Sequence, residues 1–432
     1  MSSRLVDAVA PARLGRDFRR LLASSWVSNL GDGIGVAAGP LLVASETHSA
    51  FLVSLTAFLR GLPWLVFGLV AGAVADRVDR KRLVAAVDLV RVVVLALLSV
   101  SIATGVVSIA LVLVAVFLLG LAEVFADTTG QTLLPMLVDR DDLPVGNSRL
   151  YAGSIATNQL IGPPLGAALF VAGRVWPFVT QGVLVALGVW LVLRISTSTT
   201  PSERPETHLR ADIVEGLRWS FAHPAVRTLV LTIFAFNLTF GAAWAVLVLW
   251  ARERLGLDEV GYGALLGVCA LGSMLGAAVY GPITRRLRLS TLMRLGLVLE
   301  TLTHLAFALT TQAWVAMTVM FLFGVHAMVW GTTSTSIRQQ NVPEDLQGRV
   351  SGVNMVGTWG TIVVGSLLGG AIAEGWGVTA PFWFAFVGSA LFVVLLWRQL
   401  AHVAHDDRSA SEPDSDGLEG TDGGGDQELA PA

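Results

Sequence analysis

Runs without charge, each about as long as a bilayer is thick, govern what this chain can fold into. No lysine, arginine or acid occurs between Arg149 and Arg174, Arg174 and Arg194, Arg227 and Arg252, Glu259 and Arg285, or Arg349 and Glu374. About 20 apolar residues in a helix cross about 30 Å of hydrocarbon, so each run fits one span. Two longer stretches, Val92 to Ala122 and Thr301 to Ile337, hold parts of two spans each, with breaks at Thr104-Gly105 and Thr310 to Gln312 where turn formers gather. Twelve helices follow, starting near Leu21, Phe51, Leu83, Val106, Leu150, Val175, Thr228, Val260, Thr291, Ala313, Val350 and Val378. The expected fold is an all-α polytopic membrane protein. Composition agrees, since 14% of the residues are charged against about 25% in a soluble domain.

Arginine placement sets the expected orientation, because lysine and arginine near span ends stay cytoplasmic. With both termini inside, the cytoplasmic segments hold Arg4, Arg13, Arg16, Arg19 and Arg20, then Arg77, Arg80, Lys81 and Arg82, then Arg204, Arg210 and Arg218, then Arg285, Arg286 and Arg288. The opposite loops hold only Arg174, Arg252 and Arg254. A miscounted helix would scramble this alternation downstream of the error. Residues 1 to 20 are polar and basic, so the first helix is expected to serve as an uncleaved insertion signal. The single cysteine, Cys269, excludes an intramolecular disulfide and a cysteine metal cluster.

Four segments are expected: a six-helix half over 1–195, a cytoplasmic linker over 196–225, a second six-helix half over 226–400, and an acidic tail over 401–432. Asp212 to Phe221 in the linker is amphipathic and is expected to lie along the membrane surface. Asp406 to Glu428 holds nine acids and one arginine without apolar periodicity, so the tail is expected to stay disordered. The halves repeat. Asp142-Leu143 recurs as Asp345-Leu346, and Gly162 and Gly166 recur as Gly365 and Gly369, all at an offset of 203. Gly72-Ala73 matches Gly276-Ala277 at 204, and Arg19 with Asn29 matches Arg227 with Asn237 at 208. A duplicated six-helix unit points to alternating access around a site between the halves.

After the second span comes Gly72-Ala73-Val74-Ala75-Asp76-Arg77-Val78-Asp79-Arg80-Lys81-Arg82. It resembles the signature of the major facilitator superfamily, Gly-x-x-x-Asp-Arg-x-Gly-Arg-Arg/Lys. The resemblance implies two pseudo-symmetric six-helix bundles, close helix packing at Gly72, and a charge lock of Asp76 and Arg77 against the other half in the outward-facing state. Asp79 departs from the pattern, replacing the second glycine. In the fifth span, Gly153 and then Gly162-Pro163-Pro164-Leu165-Gly166 look like the glycine-proline motif of exporters, though small residues also serve plain close packing. With Ser28 to Asp32 and Leu133-Leu134-Pro135, the whole length resembles the macrolide-efflux and enterobactin-exporter branch. The arginine that many drug antiporters carry early in the fourth helix is missing, so their proton scheme does not transfer to that position.

A charge at the bilayer centre costs at least about 2.5 to 3.5 kcal/mol and persists where it faces a cavity or partner. The candidates are Asp32 with Asn29 in span 1, Arg60 in span 2, Asp88 and Arg91 in span 3, Glu123 and Asp127 in span 4, Glu300 and His304 in span 9, and His326 in span 10. Glu123 and Asp127, four apart, share a helix face, where joint ionisation is unfavourable. Asp32, Glu123 and Asp127 are expected to line the central cavity and carry the exchanged proton or the charge of a cationic substrate; the competing reading leaves Asp127 paired with an arginine at the cytoplasmic end. Asp88 and Arg91 read as a structural pair beside the gating loop, and the histidines as packed polar groups. Trp26, Phe58, Phe236, Trp244, Trp330 and Trp359 are candidate aromatic walls, or interfacial anchors.

The only lysine, Lys81, follows Arg80, so no phosphate-binding Gly-x4-Gly-Lys loop exists. Gly31-x-Gly33-x-Gly35 lies in a spanning helix with no preceding strand and is not read as a nucleotide fingerprint. No cofactor, metal, nucleic acid or enzymatic activity is expected; the expected partners are a small molecule, protons and the bilayer, with the chain a monomer in the cytoplasmic membrane. Three functions stay open: a proton-coupled exporter of a lipophilic small molecule such as an antibiotic or siderophore, an importer or facilitator of a polar metabolite or lipid, and a sensor or intramembrane enzyme on the same fold.

Overall fold

The computed structural model describes residues 11–196, 209–343 and 346–402. The acidic tail beyond 402, the linker before Leu209 and Asp345 of the repeated Asp-Leu pair lie outside these residues. Eleven of the described helices are long and apolar enough to cross a membrane, and the shorter apolar Ala380–Leu396 completes twelve. They are α1 (Gly15–Glu46), α2 (Ala50–Arg77), α3 (Arg80–Ala103), α4 (Ile109–Gln131), α5 (Leu143–Ser154, Ile155–Ile161 and Gly162–Ala172), α6 (Trp176–Leu193), α7 (Pro224–Trp244), α8 (Glu259–Arg286), α9 (Leu289–Leu309), α10 (Ala313–Asn341), α11 (Gln347–Trp376) and α12 (Ala380–Leu396). Each coincides with one predicted span. The expected breaks are present: α3 ends before Gly105, whose φ of +73° favours glycine, and α9 stops at Leu309.

Two spans are less regular than predicted. The seventh breaks after Trp244 and resumes as the short helix Leu247–Glu253. In α5, Ile155–Ile161 is π-helical. Pro163 and Pro164 follow it and have no N–H to donate, so the hydrogen-bond ladder behind them loosens. Several span starts are capped by side chains: Ser49, Asp79, Ser108 and Asp258 accept from the amides of Leu52, Arg82, Leu111 and Gly261. The departure at Asp79 thereby has a physical role as the N-cap of α3.

Packing repeats with the sequence. Within the first half α1 packs on α5 and α6, α2 on α4, α3 on α4 and α6; within the second, α7 packs on α11 and α12, α8 on α10, α9 on α10 and α12. Adding six to each label converts one set into the other. The two seams between halves, α2 with α11 and α5 with α8, exchange under the same operation. The repeated glycines keep one job in both halves: a Cβ on Gly162 or Gly166 would strike the α1 backbone at Gly33 or Ile34, and one on Gly365 or Gly369 would strike the α7 backbone at Leu238 or Ala242. Without a hydrophobic force between helices in lipid, such close backbone approach supplies the van der Waals contact that joins them.

The two ends of the bundle differ. Where Ala37 to Ala44, Trp250, Phe307 and Phe382 lie, one continuous buried apolar cluster draws on all twelve spans. At the opposite end, which carries Arg13, Arg16, Arg19, Arg80 and Lys81 and is called here the basic end, the core is split. One cluster there belongs to the first half (Phe18, Leu22, Val84, Leu134, Val192), and two to the second (Leu229, Met293, Leu297; Val226, Val230, Val350). The linker helix, Leu209–Ala222, docks on α11, with Gly216 against the Arg349 backbone and Glu215 2.9 Å from Arg349, while Val214, Leu217 and Phe221 stay exposed.

Candidate functional site

A cavity of about 800 Å³ opens inside the first half, lined by α1, α3, α4, α5 and α6. Its mouth is at the basic end, where Pro144, Asn147, Ser148 and Tyr151 of α5 are exposed. Its floor is polar. Asp32 lies 17 residues into α1, about 25 Å along the axis and so near mid-bilayer. There the Arg91 guanidinium donates to both Asp32 and Asp88, the latter at 2.9 Å. The three side chains are 3%, 8% and 5% exposed, respectively. Two acids around one arginine leave the group with one net negative charge, held by ion pairs that removal of any partner would strand.

Glycines on α1 shape this floor. Gly31 and Gly35 lie under Gln181 of α6, where a Cβ would come 3.4 and 3.0 Å from its side chain, and the Gln181 amide donates to Asp32 at 3.4 Å. Gly33, between them, faces α5. The alternate-residue glycine pattern is thus two helix contacts on neighbouring faces. Gln181 was absent from the predicted site, although it is the one amide side chain in the charge-free run of span 6 and its burial demanded a partner.

The candidate acids of span 4 part company. Glu123 pairs with Arg60 of α2 at 3.1 Å, whereas Asp127 lines the cavity and, among the described residues, has no ion-pair or hydrogen-bond partner. Asp32 meets Asp88 and Arg91 rather than either acid of span 4, a pairing across 59 residues that was not predicted from the sequence. Asp88 and Arg91, expected beside the gating loop, sit in the cavity floor. Asn29 accepts from Ser154 at 2.9 Å and ties α1 to α5 above that floor.

The fifth span acts on two sides. Gly162 and Gly166 admit α1, while Pro163 and Pro164 lie on the seam with α8, against Gly263 and Gly267. Gly153 lies under the Trp26 ring, whose Nε1 donates to the Arg149 carbonyl at 3.4 Å. In the loop after α2, Arg77 is exposed, Arg80 donates to the Ala75 carbonyl at 3.4 Å, Lys81 reaches the Ile195 carbonyl at 2.6 Å, and Arg82 stands 3.7 Å from Asp79. The Asp76 side chain lies outside the described residues. Around Gly72 a Cβ would meet only a Thr128 methyl at 3.9 Å; the tight approaches of α2 are at Gly61 and Gly68, against Val363 and Met355 of α11.

In the second half, Glu300, His304 and His326 gather between α9 and α10, away from the cavity. Trp244 stacks on Phe240 at 4.4 Å, packs tilted against Phe323 at 4.7 Å, and adjoins the closed end. Of the other candidate aromatic walls, Phe236 is buried in a second-half core, and Trp359 stacks on Trp64 at 5.6 Å across the seam.

A family model described as "Transmembrane secretion effector" matches residues 6–418. The chain belongs to that family. This secretion effector is 27% identical over 382 residues to the multidrug efflux pump Tap of Mycolicibacterium fortuitum, covering 84% of this chain and 90% of the pump. It is 27% identical over 407 residues to the enterobactin exporter EntS of Shigella boydii serotype 4 (strain Sb227), covering 88% and 92%. Its backbone matches a bacterial homologue of the iron transporter ferroportin in the inward-facing state, with TM-score 0.73, 16% identity, and coverage of 89% and 99%. The protein is therefore a multi-pass exporter of the major facilitator efflux branch, as the sequence motifs implied, and the importer and sensor readings find no support.

Proposed function

We propose that this secretion effector exports lipophilic small molecules, cations foremost, across the cytoplasmic membrane in exchange for protons, with the basic end and both termini in the cytoplasm. One observation carries the reading: the halves share a single core at one end and have separate cores at the other, where the cavity mouth lies. That is the geometry of a state loading from the basic side, and the positive-inside bias supports that side as cytoplasmic. Asp127, open to the cavity and without an ion-pair partner among the described residues, is placed to hold either a proton or a cationic group. The net negative floor disfavours anions. The protein performs no chemical step of its own and works as a monomer, each half serving as a rigid unit.

Ethidium is a suitable lipophilic cation for the test. Cells expressing the protein should accumulate less of it, an uncoupler should erase the difference, and Asp127→Asn should slow uphill efflux about tenfold, or about 1.4 kcal/mol in barrier. Efflux that ignores the uncoupler would refute proton exchange. Sidedness has its own check. In a Cys269→Ser background, Asn147→Cys at the cavity mouth should react with a membrane-impermeant maleimide in inverted vesicles and stay unlabelled in right-side-out ones; the reverse pattern would place the basic end outside.

A further inference from the structure

We propose that Glu300, His304 and His326 form a proton-binding site of the C-terminal half, separate from the substrate cavity, through which proton movement is tied to the closed end. This rests on the exporter reading and assigns the two halves different tasks. Glu300 and His304 stand four residues apart on one face of α9, and α10 brings His326 against them. His326 Nε2 lies 3.6 Å from Glu300 Oε2. That is long for a hydrogen bond between neutral groups, yet within the range of an ion pair once the imidazole is charged. Both ring nitrogens of His304 and Nδ1 of His326 are buried with no hydrogen-bond partner. Three imidazole nitrogens without a hydrogen bond at membrane depth are costly as packing, since each orphaned polar group costs about 1–3 kcal/mol. A role in holding a proton gives them a reason to persist.

The surroundings isolate the cluster electrically. Against α9 and α10 pack α7, α8, α12 and the short helix Gln399–His402, which follows Arg398 and ends in His402. The span of α12 holds no titratable group, α7 holds only Arg227 in its first turn, and α8 between its charged ends holds only Tyr262, Cys269 and Tyr280. On the two helices themselves the other charges are Arg294, which donates to the Trp397 carbonyl at 2.7 Å, and Arg338 in the last turn of α10. Among the described residues of these elements, Glu300 is thus the one carboxylate that stands beside His326. A proton arriving from water binds His326 Nε2, makes an imidazolium facing the Glu300 carboxylate, and departs from the same nitrogen to water on the other side after the halves have moved.

The link to the closed end is direct. Trp244 meets the His304 ring edge-on at 6.3 Å and packs tilted against Phe323 at 4.7 Å, which meets the His326 ring edge-on at 5.8 Å. Phe323 belongs to the core that seals that end, and Trp244 packs against it. Gly296 brings α9 close to α10 here, with a Cβ falling 2.6 Å from Trp330 and 3.0 Å from His326. A change of charge on these rings is therefore felt by the helix pair and by the aromatic seal.

The test uses purified protein in liposomes with ethidium. His326→Gln and Glu300→Gln should lose uphill ethidium accumulation driven by a pH gradient at least about tenfold, while ethidium–ethidium exchange stays within about twofold of wild type. Driven transport that survives in both variants overturns the proposal; so does parallel loss of driven transport and exchange, which would mark a packing role. A second reading needs no substrate. Tryptophan fluorescence of the wild type should show a pH-dependent step that disappears in both Trp244→Phe and His326→Gln, and a step untouched by these changes overturns the site. If wild-type protein moves no ethidium, the transport reading fails while the fluorescence still decides the proton site.

Discussion

Arg91→Met is expected to destabilise the protein by about 3–5 kcal/mol, the largest single effect the structure predicts. The substitution keeps the length of the side chain and removes its charge, leaving Asp32 and Asp88 facing each other at mid-bilayer with the Gln181 amide as the remaining polar neighbour. Both acids sit at the floor of the cavity with side chains at most 8% exposed, so water reaches them only from the cavity side. The measurement is thermal unfolding of detergent-solubilised protein followed by size-exclusion fluorescence. A variant carrying Asp32→Asn and Asp88→Asn along with Arg91→Met should recover most of the loss, because neutral amides can pair with each other and with Gln181. A single variant within about 1 kcal/mol of wild type would show that the ion pairs do not support the bundle.

The second large effect tests the duplication. Gly166→Ala and Gly369→Ala each place a methyl against the backbone of the neighbouring first helix of their half, Ile34 of α1 and Ala242 of α7. Backbone cannot rotate away, so each should cost about 1–3 kcal/mol by prying the helices apart, and the two losses should match. Gly281→Ala is the control, since nothing lies within 4 Å of its Cβ and alanine gains up to about 1 kcal/mol in helix propensity. Thermal midpoints of the three variants check this. Unequal losses at Gly166 and Gly369 would mean that the two halves use the repeated glycines differently.

The spans were legible because the bilayer imposes a requirement on composition that each segment meets alone. The glycine repeat was legible for a related reason: a residue chosen for having no side chain marks a contact without needing its partner named. Pairings across the bundle were not. Glu123 and Asp127 share a helix face by spacing, yet one faces Arg60 on α2 and the other the cavity, a difference of orientation that periodicity alone does not reach. The Asp32–Arg91 link had a usable signal, for opposite charges stranded in two apolar spans of one half have strong cause to find each other. The break after Trp244 left no turn residue, since Ala245-Val246 reads as continuous helix.

The two seams between the halves are unequal. The α2–α11 seam is closed from Glu374, which accepts from Ser49 and the Phe51 amide, down to Leu69 on Gly352. Along α5–α8, contact runs through Leu160 to Ala167, whereas Leu143–Ser154 packs on α1 and Tyr151 is 60% exposed. The gap therefore looks sideways, toward the lipid on the side of the basic end, as well as down along the cavity. For a greasy cargo this replaces aqueous concentration with membrane concentration as the quantity that fills the pocket, so the ranking of cargoes should track their oil–water partition coefficients.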